Sequence, residues 1–359
     1  MKYIFKITLL FLLFPLITSA NTDEKKHEKS KTIKKEYKVN KDATVALDNK
    51  YGNLNITTWD KNRVEIEVTI TVKGDDLDSV EDKLESIDVT FENSVSWVSA
   101  KTNFRKEKQS WSLWGNNKNI NYQINYKVKI PKTNSVDLDN DYGNIYLDDL
   151  FGKADVNCDY GKISLGELSA DNNSINLDYC SSSNIVFMAS GNVNLDYSKI
   201  TIEKAGTLKV NMDYSTLKIE TVENINFNAD YGSLAIDEAT HVEGNSDYLS
   251  MSFGTILKNF TLDTDYGAIT IKRLAKDFEN VDINSEYTGI RIGVNADTVF
   301  DFTLDLQYAG FKTDDDNVEF YKKITKSSKK YYEGKFGKGN SNSRIKIKSQ
   351  YGGVSIKEN

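Results

Sequence analysis

Apolar and polar residues alternate along most of this chain in short runs that meet at a tyrosine and resume one step out of phase. In Val193-Asn194-Leu195-Asp196-Tyr197-Ser198-Lys199-Ile200-Thr201-Ile202, counting from the tyrosine, apolar side chains stand at −4 and −2 and again at +3 and +5. Val156 to Leu165 and Val210 to Ile219 repeat the phrase. Alternation with period two predicts half-buried strands on either side of a bend. The parity slip is assigned to the place after the tyrosine, where Gly143, Gly161, Gly232 and Gly267 stand, because glycine tolerates corner and bulge dihedrals. Parity also turns the tyrosines inward, where stacked rings would bury a large area. The alternative is an exposed aromatic stripe suited to sugars or a protein partner.

The phrase returns at Tyr142, Tyr160, Tyr179, Tyr197, Tyr214, Tyr231, Tyr248, Tyr266, Tyr287 and Tyr308, in steps of 17 to 21 residues. An earlier copy centres on Tyr51 and a final one on Tyr351. A fixed period near twenty is the signature of stacked repeats. The predicted fold is mainly β: a parallel β-helix (β-solenoid), right-handed because parallel crossovers take that hand, with a small α+β N-terminal cap. Ten coils rising about 4.8 Å each make a rod of roughly 50 Å.

In chain order, residues 1–20 read as a signal peptide: Lys2 and Lys6 accompany the apolar run Ile7 to Ile17, which ends in Thr18-Ser19-Ala20. Residues 21–36, rich in Lys and Glu, read as a disordered leader. Residues 37–131 form the cap, with one helix whose Leu77, Val80, Leu84 and Ile87 share a face behind an Asp75 or Asp76 cap. Residues 132–313 carry the repeats, and 314–359 a charged insertion followed by a terminal coil. An exposed end of the stack would offer self-association. The signal peptide predicts an exported protein in the periplasm, on the outer cell surface or secreted, and no later segment reaches transmembrane length.

The net charge of −7 argues against nucleic-acid binding. Cys158 and Cys180 fall at different places of neighbouring copies, so they read as buried or idle thiols rather than a bridge. The two histidines, His27 and His241, have no nucleophile or Cys/His ligand spacing around them. No catalytic residue and no cofactor is assigned. Arg273 and Arg291, near Asp265 and Glu286, are the one local cluster an enzyme reading could use.

Two polar columns flank the tyrosine. Asn157, Asn176, Asn194, Asn211, Asn228, Asn245 and Asn284 stand at −3; Asp159, Asp178, Asp196, Asp213, Asp230, Asp247 and Asp265 stand at −1. Both should point outward. Carboxylates one rung apart repel by about 1 kcal/mol per pair even in water. They are read either as bend-formers beside an amide ladder or as a row of calcium sites; the absence of a glycine-rich nonapeptide favours the first. Trp111 and Trp114, outside the phrase, are candidate contact residues.

The strand ending Tyr126-Lys127-Val128-Lys129-Ile130-Pro131, followed by Val136 to Leu147 and the recurring Gly-x-Ile-x-Leu phrases, resembles the bacterial putative-adhesin family. The resemblance spans roughly residues 40 to 359 and implies an exported β-solenoid, with no functional residue carried over. Together these features predict a non-enzymatic adhesin or cell-envelope binding protein contacting a protein or glycan surface. A polysaccharide-acting β-helix enzyme and a structural or stress-sensing envelope protein are the alternatives.

Overall fold

The computed structural model describes residues 26–105, 119–313 and 315–358. The protein is mainly β, its strands joined in one sheet of 23 strands, with a single α-helix among the described residues. Successive copies of the phrase pair in parallel and in register: Asp159 lies opposite Asp178, Asp178 opposite Asp196, and Asp196 opposite Asp213. Lys199–Asp265 is one uninterrupted strand of 67 residues. It cannot be straight, because the rings of Tyr214 and Tyr231 are 4.7 Å apart, whereas 17 extended residues would span about 55 Å. The chain therefore returns on itself once per copy.

The bend has one cause. All twelve phrase tyrosines have φ between 45° and 63°, a region that bulky residues seldom occupy. A single left-handed residue inverts the alternation, so −2 and +1 both face inward: Leu195 and Ser198 are buried while Tyr197 between them is exposed. The slip thus belongs to the tyrosine and not to the glycine that follows it. Gly161 is needed for another reason. A Cβ there would stand 1.9 Å from the carbonyl oxygen of Gly143 on the neighbouring pass. Where +1 is serine, the hydroxyl is used: Ser198 Oγ donates to Leu177 O (3.0 Å) and accepts from Cys180 N (2.9 Å).

The N-terminal part departs from the repeat. Strand β1 (His27–Lys38) pairs antiparallel along its length with a later strand, Arg63–Gly74. The segment read as a disordered leader is thus a strand from His27 onward. Its charges face solvent while its backbone closes the edge of Arg63–Gly74, and Ile33 and Tyr37 pack on the core. The helix α1 (Leu77–Ser86) is capped by Asp76, which accepts from Ser79 N at 3.1 Å. Here the phrase's inward −2 place is polar. Asn49 Nδ2 donates to Asn140 Oδ1 (3.0 Å), Thr102 Oγ1 donates to Asn49 Oδ1 (3.0 Å), and Thr102 meets the Tyr126 hydroxyl at 2.7 Å. Burial pushes the Tyr126 phenol well above its ordinary range.

The last copy is not terminal in space. Arg344–Gln350 pairs in parallel with Asn280–Glu286 on one side and Phe300–Gln307 on the other. The C-terminal phrase is thus inserted between the copies of Tyr287 and Tyr308. The outer edge of Phe300–Gln307 is covered antiparallel by Lys329–Phe336, which pairs in turn with Val318–Thr325. The charged insertion is therefore a hairpin that closes this end.

Candidate functional site

The phrase tyrosines form one ladder running Tyr51, Tyr142, then through the copies to Tyr287, Tyr351 and Tyr308. Neighbouring ring centroids are 4.7–5.2 Å apart and the planes 1–7° apart. The inward packing expected from parity is corrected: the rings are 38–58 % exposed. The physical reason is the left-handed backbone, which swings a side chain of inward parity onto the surface. That conformation costs about 1–2 kcal/mol per residue, and offset stacking on two neighbours returns about 0.5–1.5 kcal/mol per pair. The rings offer solvent their edges and hydroxyls, since each face is partly covered by the next ring. Desolvation, then the adjacent phenols, raise the pKa of Tyr160, Tyr197, Tyr231 and Tyr266, so these hydroxyls stay protonated.

Beside the ladder the asparagines form amide-to-amide hydrogen bonds. Asn176 donates to Asn157 (2.7 Å), Asn194 to Asn176 (2.6 Å) and Asn211 to Asn194 (2.8 Å); Asn228 and Asn245 continue the row more loosely. The aspartates Asp159, Asp178, Asp196, Asp213, Asp230, Asp247 and Asp265 stand in the outward column between amides and rings. Partial burial, then neighbouring carboxylates, raise the pKa of Asp159, Asp196 and Asp247. Lys50 pairs with Asp141 at 2.7 Å at one end of the column, while Lys218 turns to Asp237 instead. The two columns enclose a groove of about 260 Å³ lined by Asn228, Asp230, Asn245, Asp247, Asp263 and Asp265. Among the described residues, no three His, Cys, Asp or Glu side chains converge as metal ligands do.

Other candidates are dispersed. His241 Nδ1 lies 3.1 Å from Asn259 Nδ2, which also donates to Glu279. Arg273 donates to Thr255 Oγ1 (2.8 Å), and Asp265 accepts from the Glu286 backbone (3.1 Å), so these charges do not meet. Cys158 and Cys180 are buried free thiols. Trp111 and Trp114 lie outside the described residues. A second cavity of about 380 Å³ lies by the closing hairpin, lined by Phe311, Lys312, Thr313, Phe320, Lys323, Tyr332 and Lys357. Sequence reasoning missed it because its residues come from four separate segments. The outward tyrosines did leave a signal: the inward −2 place accepts Cys, Leu, Met and Ala in different copies, whereas place zero never varies.

No family model and no curated protein matches this chain. Solved structures similar to it include a putative cell adhesion protein from Clostridium sporogenes (11% identity, 92% of this chain and 100% of that one, TM-score 0.18). Others are a putative adhesin from Bacteroides fragilis (11%, 92% and 97%, 0.20) and a putative lipid binding protein from Parabacteroides distasonis (12%, 90% and 96%, 0.31). The second is described as a putative adhesin, the description carried by the family that the sequence resembles. No helix of the described residues is long and apolar enough to cross a membrane.

Proposed function

We propose that this chain is an exported, non-catalytic adhesin or cell-envelope binding protein that lays its tyrosine face along a glycan or protein surface. The observation that supports this reading is the ladder itself. Twelve strained, half-exposed aromatic residues are held in line beside amide and carboxylate columns, and aromatic residues with a polar tip are the side chains favoured at binding surfaces. The copies are read as coils of a right-handed parallel β-helix, supported by the in-register parallel pairing. An evenly repeated acid column fits binding along a length better than catalysis at one place.

The test is binding of the purified chain to an array of bacterial and host surface glycans and extracellular proteins. The comparison is a Tyr179→Asn/Tyr214→Asn/Tyr248→Asn variant. Asparagine accepts the left-handed backbone, so the bend survives while the rings are removed. Loss of binding with retained folding is the expected result. Binding that survives the variant, or binding to no surface, overturns the reading.

A further inference from the structure

We propose that the cavity beside the closing hairpin binds a carboxylate-bearing sugar unit, such as a uronate. Three ammonium groups, Lys312, Lys323 and Lys357, line it together with three rings, Phe311, Phe320 and Tyr332, and among the described residues no carboxylate does. The rings make a continuous wall: Tyr332 lies 5.6 Å from Phe311 and 5.8 Å from Phe320. Lys323 Nζ sits 5.1 Å from the centre of Phe320 and 5.8 Å from that of Tyr332, which holds a cation at the mouth. Lys312 lies opposite Ser355 in the parallel pairing, so by strand alternation Lys357 emerges on the same side. Like charges placed there repel unless an anion joins them.

The remaining feature separates one anion from another. Thr313 lines the same cavity, and its Oγ1 is closed off from solvent without a hydrogen-bond partner among the described residues, so a rotation about χ1 would bring it to a ligand. An unsatisfied hydroxyl costs about 1–3 kcal/mol, so the ligand should bring a polar group to it. An inorganic anion would leave the aromatic wall unused, and a fatty carboxylate would leave Thr313 unsatisfied. A sugar acid meets all three demands, with its C–H face on the rings, its carboxylate among the lysines and a ring hydroxyl on Thr313. The volume is at the lower end of the range of small-ligand sites, about 300–1,000 Å³, which suits one sugar residue. This site lies apart from the groove beside the tyrosines and stands whether or not that face binds a macromolecule.

Calorimetric titration of the purified full chain at low ionic strength tests this, with galacturonate, trigalacturonate, galactose and octanoate as probes. Galacturonate should bind, galactose about tenfold or more weaker. Lys323→Ala/Lys357→Ala should weaken galacturonate by at least about tenfold with an unchanged melting temperature, since both lysines are exposed. Thr313→Val should weaken it without affecting octanoate. Tighter binding of the trimer would identify a glycan as the source, equal binding a free sugar acid. No binding of galacturonate, equal binding of galactose, or binding indifferent to the lysine pair overturns the proposal; so does octanoate binding as tightly as galacturonate.

Discussion

Tyr287 and Tyr351 come from copies separated by the whole closing hairpin, yet their rings stack 4.7 Å apart with planes 4° from parallel. Tyr351 then stacks on Tyr308 at 5.0 Å, so the end of the chain is an interior rung. Deleting residues 341–359 removes the buried Ile345, Ile347, Val354 and Ile356 and uncovers strand edges on both sides. At about 1.5–3 kcal/mol per buried side chain, the loss approaches the whole stability of a typical domain, about 5–15 kcal/mol. The truncated chain should fail to give a cooperative urea transition, and a synthetic peptide of residues 341–359 should restore it in part.

At Tyr197 three substitutions separate backbone strain from stacking. Tyr197→Phe keeps the ring and should change stability by less than about 0.5 kcal/mol. Tyr197→Asn loses two stacking contacts but relieves the left-handed backbone. Tyr197→Ala loses the contacts without that relief and should be the least stable, by about 1 kcal/mol relative to the asparagine variant. Urea midpoints of the three variants, ranked otherwise, would show that the backbone conformation carries no cost.

Gly161 and Gly289 give a paired test of close approach. An added methyl at Gly161 runs into the Gly143 carbonyl, whereas at Gly289 it meets nothing within 4 Å. Gly161→Ala should cost about 1–3 kcal/mol. Gly289→Ala should be neutral or stabilising by up to about 1 kcal/mol. Equal melting temperatures for the two variants would remove the collision as a constraint.

The aspartate column should make the fold sturdier in mild acid. Asp159, Asp196 and Asp247 have pKa values raised above the ordinary 3.8, by desolvation first and neighbouring carboxylates second. The folded state therefore takes up protons before the unfolded state does. The destabilisation is fully present above the raised values and disappears as pH falls through them toward 3.8. Melting temperature should rise as pH is lowered through that window, and added salt at neutral pH should mimic part of the rise. An Asp159→Asn/Asp196→Asn/Asp247→Asn variant should show a flatter profile; an unchanged profile would assign the effect elsewhere.

Calcium and magnesium should give coincident melting curves at equal ionic strength. The column spaces its carboxylates one rung apart, and no three acidic or imidazole groups converge among the described residues. A rise specific to calcium would restore the cation row.

Much of this was legible in the chain. Strand content, the period, the outward Asn and Asp columns and the Asp76-capped helix all follow from local pattern. The direction of Tyr197 did not, because parity counting assumes an extended residue and this one is left-handed. The place of Tyr351 did not either. Sequence order implies stacking order only when each copy lands on its predecessor, and pairing of Ile347 with both Ile283 and Leu304 is a long-range choice. The strand at His27–Lys38 looked like a tail because its side chains are charged, yet its role is to lend a backbone to a neighbour's edge. Lys312, Lys323 and Lys357 gather only when three segments fold together.

Tyr197, Tyr214, Tyr231 and Tyr248 follow one another at equal intervals of 17 residues, and within that stretch each pass places like on like. Such units are interchangeable. Removing one whole copy, for example residues 215–231, would rejoin matching positions and leave every column in register, shortening the molecule by a single step of about 4.8 Å. Length is therefore a graded, heritable variable here, changed by gain or loss of whole units. On the proposed reading of the tyrosine face as a binding surface, the number of simultaneous contacts would change with it, so avidity would be tuned without altering any single contact.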